Sequence, residues 1–301
     1  MTVRTYAVAV TAAAFLCLVP AASGRTILLG RSWLRRPIDA VEVGDRTGTR
    51  VLVVGAIHGN ETAGTAVARA LERLSPRGVD LWVVPDLNPD GVAAGTRGNA
   101  HGIDLNRNFP WHWRPVGGVY ASGPHPLSER EARIAYRLIL RLRPRVTIWF
   151  HQHLDMVWAS GGDRRVERVF ARVSGLPYHP MPQLGGSAVS WQNNTLRGTT
   201  AFAAELPAGQ PDPVQVHRYV RAVLAAAHAV AGRRARNSRR SRSRSSGAIP
   251  SHQSTSAAAA TQSAPSGRSA TSDDGFVSRA AAPSTTAAAA SAGTTGRTIA
   301  R

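Results

Sequence analysis

The sequence predicts an α/β fold, a three-layer domain in which helices flank a mixed, mostly parallel sheet. Short apolar runs of the kind that form buried strands alternate along the chain with longer segments of helical spacing. This alternation is typical of β-α units that build a largely parallel sheet. The chain has 301 residues, of which 43% are hydrophobic, and can therefore bury a sizeable core.

Five segments predict strands. Residues 37–43 alternate apolar and polar side chains, which is the period of a half-buried strand. Four nearly continuous apolar runs predict buried strands, at 51–57, 81–84, 146–150 and 199–206.

Helical spacing of apolar residues predicts four helices, at 62–74, 128–142, 163–173 and 212–230. A capping box formed by Ser128 and Glu131 predicts the start of the second. Asp212 as N-cap and Pro213 at the first helical position predict the start of the last. Residues 88–123 show no periodicity, and a stretch this long inside a compact domain is usually functional or disordered.

The first 24 residues predict a signal peptide. One Arg precedes an apolar run at 5–19, and small residues at 20–24 follow it. We therefore expect a secreted protein, extracellular or associated with the cell wall, without a stable membrane span after cleavage. The only cysteine, Cys17, lies in this segment, so the mature protein is expected to have neither a disulfide nor a thiol nucleophile.

The formal net charge of +19 is concentrated towards the C-terminus. From Arg233 onward, 11 Arg face only Asp273 and Asp274, a net of +9. Large apolar residues are nearly absent there, which predicts a disordered tail at 233–301 after a catalytic domain at 25–232. An Arg-rich run could bind nucleic acid or an anionic wall polymer, but we favour a solvated tail and expect no specific nucleic acid.

Candidate metal ligands follow a predicted strand. His58 and Glu61 lie three residues apart, directly after the run at 51–57. Zinc accepts one imidazole and one carboxylate, with a third ligand supplied from elsewhere. The HxxE pattern alone is weak, because two polar residues in a loop would show it as well.

Further polar residues follow or interrupt other predicted elements. The irregular stretch contributes two Arg and several amides, and Arg can bind a carboxylate or a developing oxyanion. The strand at 146–150 ends in His151, with His153 close behind. Glu205 interrupts an apolar strand, which is costly unless the carboxylate is paired or functional.

These segments together resemble the zinc carboxypeptidase family of the carboxypeptidase A type, in its bacterial branch of murein peptide amidases. The resemblance covers about 36–230 and keeps the family order of the following motifs: HGNE at 58–61, NPDG at 88–91, TRGN at 96–99, GIDLNRNFP at 102–110, the strand ending in His151 and the strand carrying Glu205.

The resemblance implies one Zn²⁺ per chain and a role for each matching residue. His58, Glu61 and His151 would bind the zinc, and Asp104 would orient His58. Glu205 would be the catalytic base, with Asp155 as the next candidate. Arg97 would stabilise the oxyanion, and Asn106 and Arg107 would bind the terminal carboxylate of the substrate. Spacing alone leaves His153 open as a rival to His151.

The sequence departs from the family pattern in one place. The family carries a Tyr a few residues before a Gly-Gly pair, whereas Gly185-Gly186 follows Met181 to Leu184, and Tyr178 comes too early. The expected specificity pocket, at Ala188 and Val189, is uncharged, which disfavours a strict preference for basic residues.

Three classes of function compete on these grounds, and the first has two variants. The favoured one is a monomeric zinc metallocarboxypeptidase that hydrolyses a peptide or amide bond next to a terminal carboxylate, in a peptide or muropeptide. A γ-D-glutamyl-diaminopimelate amidase would use the same residues. An N-acyl amino acid deacylase of the aspartoacylase type shares HGNE and DLNR, but NPDG and NRNFP favour the peptidase. A non-catalytic wall-binding protein would not need three ligands and Glu205.

Overall fold

One eight-stranded sheet forms the centre of the protein. The computed structural model describes residues 24–245, with side chains through residue 230. The strand order is β1-β2-β4-β3-β5-β8-β6-β7. The strands are β1 Arg25–Arg31, β2 Pro37–Gly44, β3 Thr49–Ala56, β4 Val79–Asp86, β5 Val146–Gln152, β6 Met156–Ala159, β7 Tyr178–Pro180 and β8 Thr200–Leu206.

The middle of the sheet is parallel and its flanks are mixed. Strands β4, β3, β5 and β8 pair in parallel, whereas β1 with β2, β2 with β4, and β6 with β8 are antiparallel. Strand β7 pairs in parallel with β6. The predicted mixed, mostly parallel sheet is therefore confirmed.

Helices cover both faces, which completes the three layers. The helices are α1 Ala63–Leu71, α2 Pro89–Ala94, α3 Arg130–Leu142, α4 Arg164–Ser174, α5 Ala188–Thr195 and α6 Pro213–Ser245. One buried cluster joins the sheet to α1, α4 and α6, and a second joins the opposite face to α3 and α5. Because the central strands are covered on both sides, their apolar runs are continuous rather than alternating.

Helix termini test the predicted caps. At α6 the prediction is correct, because Gln215 N donates to Asp212 Oδ1 at 2.7 Å and Asp212 N donates to Gln215 Oε1 at 2.9 Å. At α3 the predicted capping box is wrong. Ser128 Oγ donates instead to Glu129 Oε1, and the Glu131 carboxylate accepts from Trp33 N and Asn99 Nδ2.

Other elements differ from the prediction in extent. Strands β1, β6 and β7 and helix α5 were not predicted, and the aperiodic stretch contains α2 and two 3-10 helices, Leu105–Arg107 and Gly118–Tyr120. Helix α6 continues to Ser245, so the backbone at 233–245 is helical where disorder was predicted. The expected signal peptide and residues 246–301 lie outside the described part. No helix in the described part is both long and apolar enough to cross a membrane.

Candidate metal centre and pocket

The predicted site residues meet at the carboxyl edge of the parallel strands. His58 follows the end of β3, His151 lies near the end of β5, and Glu205 lies near the end of β8. Strands β5 and β8 are neighbours, and their register pairs His151 directly with Glu205. This edge is where open α/β sheets bind their ligands.

Close backbone packing shapes the loop between His58 and Glu61. A Cβ on Gly59 would overlap the carbonyl group of Gly91 in α2, so only glycine fits there. Asn88 caps α2 by accepting from Gly91 N at 3.0 Å, and its amide donates to Gly98 O at 3.1 Å. The NPDG segment therefore packs against the HGNE loop and supports its backbone.

Three ligand atoms converge at the predicted metal site. The Nδ1 atoms of His58 and His151 lie 3.2 Å apart, and each lies 2.9 Å from Glu61 Oε2. All three residues are buried, and they are a group that could hold a metal ion. His153 lies at the pocket but is not a member of this group.

The spacing of these atoms fits zinc. A tetrahedral ion with bonds of about 2.0–2.1 Å has ligand atoms about 3.3 Å apart, so a slight outward shift would admit it. Two imidazole nitrogens and one carboxylate oxygen are also the ligand set of catalytic zinc sites, which keep a fourth position open.

A second layer of polar residues orients these ligands. Asp104 Oδ1 lies 2.9 Å from His58 Nε2, and this contact orients the imidazole with Nδ1 towards the site. Arg97 joins the same network, because its Nε donates to Asp104 Oδ2 at 3.0 Å and its Nη1 donates to Glu61 Oε1 at 2.8 Å. Arg97 therefore helps to hold the candidate ligand Glu61 in place, and it also lines the pocket.

The pKa shifts indicate the charge of the two carboxylates at the centre. Burial alone would lower the pKa of His58, but its hydrogen bonds to Asp104 and Glu61 raise it. Burial would raise the pKa of Glu61, yet both histidines lower it strongly. Burial would likewise raise the pKa of Asp104, but His58, Arg97 and Arg107 hold this pKa at about 2. Both carboxylates are therefore anionic at neutral pH.

Glu205 differs from these two carboxylates, because its pKa is raised and not lowered. It is 8% exposed, and its Oε2 is buried without a hydrogen-bond partner in the described part of the chain. Burial raises its pKa, opposed mainly by the nearby His151. A carboxylate held in this way accepts a proton more readily than a solvated one, which suits a general base. Asp155 is exposed and does not line the pocket.

A pocket of 560 Å³ opens from this centre. It is lined by His58, Glu61, Arg97, Asn106, Arg107, His151 and Glu205 among the predicted residues. Asn106 also braces the site, because its Oδ1 accepts from Ala188 N at 3.0 Å and its Nδ2 lies 3.5 Å from His151 Nε2. Of the two predicted specificity residues, only Val189 lines the pocket, since Ala188 is fully buried behind it.

Sequence reasoning missed several pocket residues. Tyr120, Leu154 and Trp158 line the pocket and come from segments that carry no motif. The early tyrosine, Tyr178, lies elsewhere, and its hydroxyl donates to Glu167 at 3.3 Å. Only the paired Gly117-Gly118 before Tyr120 marks that loop as a turn in the sequence.

Comparisons with known proteins agree with this geometry. The sequence profile of the zinc carboxypeptidase family matches residues 22–264. Murein peptide amidase A from Escherichia coli K12 is 33% identical over 143 residues, 42% of this chain and 59% of that protein. The chain thus matches about three fifths of that relative. Human carboxypeptidase Z is 33% identical over 118 residues, 29% of this chain and 18% of that protein.

Solved structures show the same fold. Murein-tripeptide amidase from Escherichia coli O157 has 27% identity and a TM-score of 0.56, with 66% of this chain and 89% of that chain covered. Carboxypeptidase A from Helicoverpa armigera has 17% identity and a TM-score of 0.61, with 70% and 69% covered. With the family profile spanning the whole described domain, the chain belongs to the zinc carboxypeptidase family.

Proposed function

We propose that the protein is a metallocarboxypeptidase that cleaves the peptide or amide bond next to a terminal carboxylate. The observation that carries the proposal is the convergence of His58, Glu61 and His151 beside a buried carboxylate, Glu205, in one pocket. Two guanidinium groups, of Arg97 and Arg107, line the same pocket and supply the positive charge that a terminal carboxylate needs.

In this proposal His58, Glu61 and His151 hold the zinc ion. When bound, zinc supplies Lewis-acid chemistry, acidifying water and polarising a carbonyl oxygen. Glu205 takes a proton from the attacking water and later delivers a proton to the leaving nitrogen. Its unpaired Oε2 and its buried surroundings support both steps.

The two arginines of the pocket have different proposed roles, one in stabilising charge and one in binding the substrate. Arg97 reaches the pocket while it braces Glu61, so its charge supports both the carbonyl oxygen and the ligand. Arg107 Nη1 donates to Asn106 O at 2.8 Å, and no carboxylate pairs with this guanidinium in the described structure. Its remaining N–H groups are therefore available for the carboxylate of the substrate.

The names of the relatives and the pocket wall support a proposal for the substrate class. Murein peptide amidases are among the similar proteins, and their names point to cell-wall peptides. Away from the centre, the wall is formed by uncharged side chains, among them Val189, Ser190 and Leu184. We therefore propose a muropeptide that ends in a diamino acid with a free carboxylate, and a plain dipeptide as a poorer substrate.

Glu205→Gln tests the proposed base. The change preserves side-chain size and leaves the ligand group intact, so zinc content should stay unchanged while kcat falls by about 100-fold or more. The matched control is Glu167→Gln, a second buried glutamate that lies on α4 outside the pocket. Full activity in the Glu205 variant would assign the base to another group.

Four substrates are compared, each with and without a chelator: a hippuryl dipeptide, its C-terminal amide, a diaminopimelate muropeptide and an N-acyl amino acid. Activity that requires zinc and a free carboxylate supports the proposal. Cleavage of the muropeptide alone identifies an amidase. Cleavage of an N-acyl amino acid and of neither peptide would favour a deacylase.

We also propose that the protein is exported, because residues 1–24 have the composition of a signal peptide. Mass analysis of protein recovered from the culture medium tests this. A product that begins near residue 25 supports export, and intact protein confined to cell extracts would contradict it.

A further inference from the structure

An aromatic ring stands against both guanidinium groups of the pocket. The ring centroid of Tyr120 lies 5.1 Å from Arg97 Cζ and 5.4 Å from Arg107 Cζ. Both distances are within the range of a cation–π contact. Tyr120 lines the pocket, and 48% of the residue is exposed. It is the one tyrosine among the residues that line this pocket.

The backbone around Tyr120 is anchored to the metal-orienting residue. Asp104 N donates to Ala121 O at 2.8 Å, directly after the tyrosine. One residue further, Ser122 O accepts from Asn108 Nδ2 at 2.7 Å. The position of the ring is therefore tied to the same segment that carries Arg107, rather than being that of a free surface side chain.

The two guanidinium groups differ in the hydrogen bonds and ion pairs that hold them. Arg97 is held by Glu61 and Asp104 at 2.8 and 3.0 Å, so it keeps its place without the ring. Arg107 has one hydrogen bond, to a neighbouring backbone carbonyl, and no ion pair with a described residue. Of the two, Arg107 therefore depends more on Tyr120 for its orientation.

We propose that Tyr120 is a positioning residue for substrate binding, whose ring holds the Arg107 guanidinium ready for the terminal carboxylate; this rests on the function proposed above. The ring replaces water on one side of the guanidinium. Less hydration is then lost when the carboxylate binds, and the fork of N–H donors is held in one orientation. The hydroxyl takes no part in this role.

Three variants separate the ring from the hydroxyl and from the loop. Tyr120→Ala should raise KM for a free-carboxylate substrate by about tenfold, the effect of losing one or two partly exposed cation–π contacts, with kcat unchanged. Tyr120→Phe should restore the wild-type KM. Val119→Ala is the control, because its neighbouring side chain is 70% exposed and does not line the pocket.

A double-mutant cycle tests whether the ring acts through Arg107. In the Arg107→Ala background, Tyr120→Ala should add little to KM, and on the C-terminal amide substrate it should have little effect in either background. A wild-type KM in Tyr120→Ala, equal losses in the Phe and Ala variants, or full additivity with Arg107→Ala would overturn the inference. A wild-type enzyme that does not distinguish carboxylate from amide would instead refute the proposed function.

Discussion

Glu167 provides a measurable dependence of stability on pH. Its side chain lies on α4, is 1% exposed, and accepts a hydrogen bond from the Tyr178 hydroxyl at 3.3 Å. Its Oε1 is buried without a partner among the described residues. Burial is the main cause that raises the pKa of Glu167, from an ordinary 4.5 to about 7.

The sign of the effect follows from linkage. Between pH 4.5 and 7 the folded protein retains a proton that the unfolded chain releases, so the free energy of unfolding falls as the pH rises through this window. A shift of this size corresponds to about 3 kcal/mol, at about 1.4 kcal/mol per pKa unit. The loss is complete above pH 7.

Glu167→Gln removes the titration. We expect the variant and the wild type to differ little in their dependence on pH below 4.5, and the variant to gain about 3 kcal/mol relative to the wild type by pH 9. Urea unfolding of both proteins across this range, with saturating zinc, measures the difference. Tyr178→Phe should enlarge the loss, because the hydroxyl stabilises the ionised carboxylate. A difference between Gln variant and wild type that stays constant with pH would refute the reasoning.

Three further changes test the roles assigned around the pocket. Asp104→Asn should weaken zinc binding by about 10–100-fold, because the oriented imidazole of His58 loses its anionic partner; zinc titration with a competing chelator measures this. Arg97→Ala should lower kcat by about 100-fold and also reduce zinc retention, whereas a change in KM alone would contradict both of its assigned contacts. Deleting residues 233–301 should leave kcat and solubility unchanged, because this segment has too few large apolar residues to join the core; insoluble protein would show that the domain boundary is wrong.

The central strands could be predicted because their signal is local. Runs such as 51–57 and 199–206 are nearly continuous in apolar residues, as is typical of strands covered on both faces. Helix α5 has no comparable signal, because its core-facing side includes Gln192, whose amide donates to Thr147 Oγ1 at 2.9 Å, and Asn193 bonds to Ala201 O at 2.8 Å. These partners lie outside the helix itself, so the periodicity of its sequence cannot reveal them.

The residues of the site also differ in whether the local sequence could reveal them. The HxxE pair and Glu205 could be proposed because each is a polar residue at or beside the end of an apolar strand. The contact of Tyr120 with Arg97 and Arg107 could not, because it depends on the path of an aperiodic loop. Spacing alone could not choose His151 over His153, since alternate residues of an extended strand point the same way; the family resemblance favoured His151, which lies in the ligand group.

The parallel pairing of β5 and β8 explains why the candidate metal ligand His151 lies next to the proposed base Glu205. Residues opposite each other on neighbouring strands are about 5 Å apart, and the register of seven paired positions places His151 beside Glu205. A shift by one residue would turn one of the two side chains to the opposite face of the sheet. The buried Phe150 and Phe202 resist such a shift, because their rings would have to leave the cluster they form with α1, α4 and α6 and enter the opposite layer. The geometry of the reacting groups is therefore maintained by the core that the apolar runs of β5 and β8 build.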